Sequence, residues 1–288
     1  MNKVMPIRFA IPEDRKVIQS LFEMCFPEDP LFNRWFFKEY FKIENTLLYL
    51  ENDKIVAMLQ MYPLKLKMNQ FVYPVHYLFG VCTHPNHRKK GYMEKILEYA
   101  CHLGREKGDI ASVLIPQEKW LFNLYRKYGY EPKFTTSVMK MEVESMAINA
   151  VVEEVTVKNL EEVIRLYEMN MNEQMSYILR TKEYWLLQKA MFQATEGKIY
   201  SLKRQNKYIA YGFIWIYENE LWIQEGFGMS QEALILLANA VAQKENKKYM
   251  TITTAFIKNR DPVPLGCIKF LQNEIKSDIS GYMNLMFN

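Results

Sequence analysis

Apolar and polar residues change their spacing several times along the chain, and each change marks an element. Ile7 to Ala10 reads as a short strand, after which Pro12-Glu13-Asp14 starts a helix whose apolar positions Val17, Ile18, Leu21 and Phe22 recur at helical spacing. The two prolines of CFPEDP end it, and a second helix is expected over 31–42, carrying Trp35, Phe36, Phe37 and Tyr40. Strands are expected over 46–50 and 55–66, joined at Glu51-Asn52-Asp53-Lys54, and over 72–83. The third of these is apolar at nearly every residue from Val75 to Cys82 apart from His76, the pattern of a strand covered on both faces. A helix opening at Gly91 puts Met93, Ile96, Leu97, Ala100 and Leu103 on one side and closes at Gly104 and Gly108. A buried strand over 110–115, a helix over 118–128 and an alternating strand over 134–143 follow.

From residue 144 the order begins again. Helices over 159–174 and 181–192 precede a hairpin, 198–202 and 208–216, around Gln205-Asn206-Lys207. A strand over 221–225, a helix over 231–244 and a strand over 249–256 complete it. The pattern is that of an α/β protein with two domains, 1–143 and 144–288, close to the soft expectation of about 150 residues each. It repeats the order of elements and not the residues.

Composition narrows the function classes. With 49% hydrophobic and 24% charged residues and a net charge of +4, the chain is ordinary for a globular protein, and the charge excess is too small to imply nucleic acid by itself. No window reaches 18 apolar residues and MNKVMPIRFAIPED holds no apolar signal core, so a soluble, cytoplasmic protein without a membrane partner is expected. Cys25, Cys82, Cys101 and Cys267 form no CxxC pair, which argues against a disulfide framework or a zinc site and fits a reducing compartment. Cys82, His84 and His87 are interrupted by Pro85 and lack a neighbouring carboxylate, so no metal is expected there.

The densest chemistry lies in THPNHRKKGYMEKILEYA, residues 83–100. A buried strand that passes through a basic loop into a glycine-started helix builds an anion site, because the unpaired amides of the helix N-terminus point outward with the positive end of its dipole. Arg88, Lys89 and Lys90 add charge, and Gly91 leaves the backbone approachable. Neither GxxxxGK[ST] nor GxGxxG is present, and no wider basic face with stacking aromatics surrounds the loop, so a nucleic-acid partner is not expected.

Arg88-Lys89-Lys90-Gly91 resembles the R-x-x-G core of the pyrophosphate loop of the GNAT superfamily of N-acetyltransferases, and Leu124-Tyr125-Arg126-Lys127-Tyr128-Gly129-Tyr130 resembles its L-Y-x-x-x-G-[FY] motif. The resemblance implies a GNAT acyl-CoA N-acyltransferase fold, a mixed central sheet flanked by helices, followed by a second, degenerate GNAT-like domain. It implies acetyl-CoA as co-substrate, cradled by Arg88, Lys89, Lys90, Gly91, Tyr92 and Met93, with main-chain groups around Val81, Cys82 and Thr83 aligning the pantetheine arm. Met93 departs from the usual small residue after the loop, and in this the chain is similar to the enhanced intracellular survival (Eis) branch, whose third domain the chain has no room for.

The resemblance makes Tyr125 the acid that protonates the leaving thiolate; by spacing alone it is also a core aromatic in line with Leu121 and Tyr128. The same branch implies the C-terminal carboxylate, here Asn288, as the base for the acceptor amine, with Glu28 and Asp29 as alternative acceptor-binding carboxylates or surface caps. An alkylammonium is neutral only about one part in a thousand at neutral pH, so some base or desolvating pocket is required. The second half reads QEGFGMSQEAL where the first has its basic loop, so no coenzyme is expected there; it is expected to support the first domain and wall one side of the acceptor site, with Trp215, Trp222, Phe227 and Tyr282 either lining that wall or, as the commoner use, packing in its core. The expected reaction is acetyl transfer from acetyl-CoA to a small cationic amine or a lysine side chain; the rival is a non-catalytic acyl-CoA-binding or regulatory protein. Oligomeric state is left open, a homo-oligomer included.

Overall fold

The computed structural model describes residues 6–145, 149–255, 257, 260–272 and 279–285. In chain order its elements are β1 (Ile7–Phe9), α1 (Arg15–Cys25), α2 (Pro30–Trp35), β2 (Thr46–Glu51), β3 (Lys54–Met68), β4 (Phe71–Thr83), α3 (Tyr92–Glu106), β5 (Ala111–Leu114) and α4 (Lys119–Arg126). There follow β6 (Glu131–Glu142), β7 (Val151–Glu154), α5 (Leu160–Met171), β8 (Ser176–Ile178), α6 (Lys182–Ala194), β9 (Lys198–Arg204), β10 (Lys207–Ile216), β11 (Glu220–Gly228), α7 (Gln231–Lys244), β12 (Tyr249–Thr254) and β13 (Val263–Phe270).

The chain forms two compact units, Met1–Pro132 with Gly266–Asp278, and Lys133–Leu265 with Ile279–Asn288. This division differs from a single cut after residue 143. In the first unit β1, β2, β3 and β4 pair antiparallel in that order, α3 carries the chain over to β5 parallel to β4, and β13 closes β5 antiparallel. In the second, β7, β9, β10 and β11 pair antiparallel, α7 carries the chain to β12 parallel to β11, and β6 closes β12 antiparallel. The closing strands are exchanged along the sequence: the strand that follows α4 completes the second unit, and β13 completes the first. Each unit is thus a mixed sheet with a helical crossover.

β7, β8 and β13 were not expected. β7 and β8 are only 4 and 3 residues long, and β13 opens Val-Pro-Leu-Gly, which reads against a strand until its partner β5 is known. Near the C-terminus, Gly281 and Tyr282 make single bridges to Phe134 and Tyr177. The expected closure of the third helix at Gly104 is also corrected, because α3 runs through it to Glu106. A Cβ on Gly104 would lie 2.4 Å from the His76 ring, so the glycine serves close packing and not termination.

The second expected helix is shorter than 31–42. α2 ends at Trp35 and a single π-turn, Phe36–Tyr40, follows, with the Phe41 amide donating to the Phe36 carbonyl. Trp35, Phe36 and Phe37 are consecutive and all buried. A regular α-helix turns about 100° per residue and cannot comfortably aim three large neighbours at one core, and the wider turn relieves this. The Phe22 ring of α1 stacks on Phe36 at 5.0 Å, meets Phe37 edge-on at 5.4 Å and lies 6.1 Å from Phe79 of β4. Full burial of each such side chain contributes about 1.5–3 kcal/mol, so this cluster fixes α1 against the central strand.

Candidate active site

The site begins with an irregularity in β4. Met58 of β3 pairs with Cys82 and Gln60 with Phe79, so two residues of β4, Gly80 and Val81, stand opposite Leu59 alone. Gly80 holds this bulge with φ +59°, the left-handed form that glycine adopts most easily. A Cβ there would approach the Phe22 ring to 2.7 Å, a second reason for glycine. On its other edge β4 pairs with β5 only from Val75 to Tyr77. The last register pair is Tyr77 with Val113 and β5 ends at Leu114, so the stretch of β4 from Leu78 to Thr83 runs past the end of β5, beside a slot that β5 does not fill.

The basic loop lies at the end of that slot. Pro85–His87 makes one 3-10 turn, Arg88 is extended, and Lys89 and Gly91 have φ +64° and +78°. Gly91 is the N-cap of α3 with no side-chain cap, so the first amides of the helix have no side-chain acceptor at that position. An added Cβ on Gly91 meets nothing within 4 Å, so its left-handed backbone, and not crowding, calls for glycine. Lys89 adopts the left-handed region with a side chain, at a strain of about 1–2 kcal/mol.

Glu51, which sequence reasoning passed over as a hairpin residue, organises the loop. Its carboxylate lies 2.6 Å from His87 Nδ1 and 3.4 Å from Lys90 Nζ, and it accepts a hydrogen bond from the Tyr92 hydroxyl. The Tyr92 hydroxyl holds the carboxyl below its ordinary range, with His87 and Lys90 acting the same way against burial. Tyr92 is in turn pushed up to about 12 by Glu51 and stacks on Tyr49 at 4.5 Å. Tyr92 and Met93 turn their side chains to the core cluster, so what they offer outward is main chain.

Arg88 bends back to the strand end, its Nε donating to the Thr83 carbonyl at 3.2 Å. The same carbonyl accepts from Cys25 Sγ at 3.6 Å. Val81 stays half-buried at the bulge and Lys89 is exposed.

Tyr125 of α4 is buried at 7% exposure, edge-on to Tyr130 at 5.9 Å. Burial lifts its phenol above the ordinary range, with smaller contributions from Cys267 and Cys82. The phenol is protonated across ordinary pH.

Other expected residues fall outside this group. Asp29 caps α2, accepting from the Phe32 amide at 2.8 Å, and Glu28 is exposed. His84 Nδ1 accepts from the Asn86 amide while His87 turns to Glu51, and among the described residues Cys82, His84 and His87 form no metal-holding group. His76 is buried with Nδ1 2.8 Å from Asp109. Asn288 lies outside the described residues.

The second unit contains the counterpart of the slot and fills it. β11 also carries an extra residue, Gln224, opposite the Phe213/Ile214 junction, and pairs with β12 only from Glu220 to Ile223. There Glu225 is wholly buried, held by Arg180 at 2.7 and 2.5 Å and by the Tyr282 hydroxyl at 2.8 Å. Asn284 Nδ2 reaches the Gln224 carbonyl at 3.4 Å. The chain's own segment 279–285 thus lies along β11.

Residues 6–133 match the family model of the acetyltransferase (GNAT) domain. No curated protein matches the chain in sequence. Among solved structures, the chain is similar to a GCN5-related N-acetyltransferase from Anabaena variabilis, at 16% identity and TM-score 0.72, over 92% of this chain and 72% of that one. It is similar to Eis1 from Mycobacterium abscessus at 12% identity and TM-score 0.66, over 92% and 74%. It is also similar to a tandem GNAT protein from the clavulanic acid biosynthesis pathway, at 11% identity and TM-score 0.56, over 92% and 99%. At these identities the likeness is one of fold: a mixed α/β GNAT architecture, shared with neighbours some of which carry tandem GNAT domains. Among the described residues no helix is long and apolar enough to cross a membrane.

Proposed function

We propose that the chain is an N-acyltransferase that moves an acetyl group from acetyl-CoA directly to an amine, with the first unit as the catalytic one and the second as support. The observation that carries this reading is the run of β4 past the end of β5 beyond Tyr77, with the basic loop and the uncapped start of α3 at the mouth of the slot. A pantetheine arm is a chain of amides, and a strand edge that runs on past its neighbour is a surface that amides pair with. Arg88, Lys89, Lys90 and the amides from Gly91 to Met93 offer charge and donors to a pyrophosphate. The bulge at Gly80 and Val81 exposes main chain beside the thioester, and the Tyr125 hydroxyl supplies the proton that the departing sulfur needs.

Direct transfer requires no enzyme nucleophile, since the acceptor amine attacks the carbonyl carbon itself. The second unit does not take part in coenzyme binding, because Arg180, Glu225 and segment 279–285 fill its corresponding slot. The acidic CFPEDP loop and the aromatic residues that follow it suit a cationic amine with apolar bulk. Kinship with the Eis branch and a cytoplasmic location belong to the same reading. Its test is a panel of polyamines, aminoglycosides and lysine peptides incubated with purified protein and acetyl-CoA, following free thiol. Release dependent on one amine class supports the reading. Tight coenzyme binding with no release on any amine would turn it into that of a binding protein.

A further inference from the structure

The bulge in β4 also changes which face its side chains meet. Successive residues of a strand alternate: Leu78 joins the apolar cluster that holds Ile96 and Leu97 of α3, while Tyr77 and Phe79 lie 6.1 Å apart on the opposite face. The extra residue breaks that alternation. Phe79 lies 6.1 Å from the Phe22 ring of α1, and a Cβ on Gly80, the very next residue, would run into the same ring at 2.7 Å. Val81 then returns to the α3 cluster. Two neighbouring positions thus look toward α1, one carrying a large ring and the other carrying nothing.

The notch left by the missing Gly80 side chain has a closed floor and a closed wall. Phe22 is the floor, with Cδ2 and Cζ 3.4 and 3.8 Å from the place of that Cβ, and it is backed by Phe36 stacked at 5.0 Å and Phe37 edge-on at 5.4 Å. Phe22 and Phe36 are buried, so the floor cannot turn aside without opening a void. Phe79 is the wall, half-buried and braced by Phe32 at 6.1 Å and Phe36 at 5.3 Å. Neither ring binds the coenzyme or moves a proton in the reaction proposed above.

We propose that Phe22 and Phe79 set the length of the acyl group that the donor can carry, holding it to an acetyl or propionyl group. The inference rests on the transferase reading, in which the thioester lies against the bulge. Tyr92 and Met93, at the start of α3, belong to the same cluster as Leu78, so a coenzyme held there reaches β4 from the α3 face. Its acyl end then points past the bulge, to the face of Phe22 and Phe79. An acetyl methyl ends over Gly80, where no side chain stands. Further methylenes meet rings that packing holds in place, and one methylene too many in an apolar pocket lowers kcat/KM by about tenfold or more.

The test measures kcat/KM for thiol release with acetyl-, propionyl-, butanoyl- and hexanoyl-CoA and one fixed amine, together with the affinity of each donor by titration calorimetry without amine. The wild type is expected to use propionyl-CoA within about tenfold of acetyl-CoA, and hexanoyl-CoA at least about 100-fold less well. Phe79→Ala should raise the hexanoyl-to-acetyl ratio by about tenfold or more, and Phe22→Leu by about 3- to 10-fold, with affinity for free coenzyme A unchanged. Circular dichroism checks folding, and Phe79→Leu is the milder variant that replaces an unfolded alanine one. General loosening of the site would lower every donor together and leave the ratio where it was. A wild type that takes hexanoyl-CoA as readily as acetyl-CoA, or an unchanged ratio in the folded variants of both residues, would overturn the proposal. No release with any donor or amine would instead overturn the transferase reading, and the affinities then decide: hexanoyl-CoA bound as tightly as acetyl-CoA by the wild type overturns the length limit, and weaker binding relieved in Phe79→Ala upholds it.

Discussion

Glu51 and His87, 36 residues apart in sequence, meet at 2.6 Å, and the same carboxylate lies 3.4 Å from Lys90 and accepts from Tyr92. One acid therefore holds the basic loop in shape while offsetting part of its charge. Glu51→Gln keeps hydrogen-bonding capacity and removes the negative charge. Its affinity for coenzyme A should rise by about 2- to 5-fold at low salt, and the gain should shrink as salt screens the loop. Titration calorimetry at two ionic strengths measures both; a salt-independent loss of affinity would show that Glu51 acts by ordering alone.

Lys89 allows charge and conformation to be separated, because it holds a left-handed backbone with a side chain attached. Lys89→Gly removes charge and strain together, and Lys89→Ala removes only charge. Both should lose coenzyme A affinity by about 3- to 10-fold, while the alanine variant keeps the wild-type stability and only the glycine variant gains, by up to about 1 kcal/mol in urea melts. Arg88→Ala should weaken coenzyme binding at least as much, since it also frees the Thr83 carbonyl.

At the bulge, Gly80→Ala combines an unfavourable φ with a Cβ 2.7 Å from the Phe22 ring. Loss of about 2–4 kcal/mol of folding stability is expected by chemical denaturation. Relief by a second change, Phe22→Leu, would confirm that the clash and not the dihedral dominates; no relief would assign the loss to the backbone.

Tyr125→Phe tests the proton donor. Thiol release should fall by about 10- to 1000-fold with coenzyme affinity retained. An equal loss of affinity would instead mark Tyr125 as a packing residue beside Tyr130.

The Arg8–Asp14 pair gives a pH-dependent prediction. Asp14 takes both guanidinium nitrogens, at 2.6 and 3.0 Å, and the Ile11 amide at 2.9 Å. The bond from Arg8 holds its carboxyl below the ordinary range, against burial and with help from Ile11. A lowered folded-state pKa means that the stabilisation is complete above the unfolded value of about 4 and is lost as pH falls through the lower, folded one. Asp14→Asn should therefore be about 1 kcal/mol less stable at neutral pH, a modest figure because Arg8 is 34% exposed, and the gap should close in strong acid.

Most elements around the site were legible because their patterns are local. The run Val75–Cys82 reads as a buried strand from its apolar content, and Arg88-Lys89-Lys90-Gly91 announces an anion site by charge and glycine alone. Glu51 was invisible because an acidic residue before Asn-Asp reads as a turn, and only the folding of the β2–β3 hairpin brings it against the loop. Gly80 carried no signal within its strand, since a bulge is defined by the register of a partner strand.

The sequence by itself determined which segments become helices and strands and where charge would gather, because hydrophobic period, turn chemistry and charge are properties of neighbours along the chain. Only the tertiary structure decided which strand closes which sheet, that β4 runs on past the end of β5 after Tyr77, and that the matching slot in the second unit is filled by Arg180, Glu225 and residues 279–285. These depend on partners far away in sequence, whose pairing is chosen by the burial and hydrogen bonding of the whole fold and leaves no periodic trace in either segment.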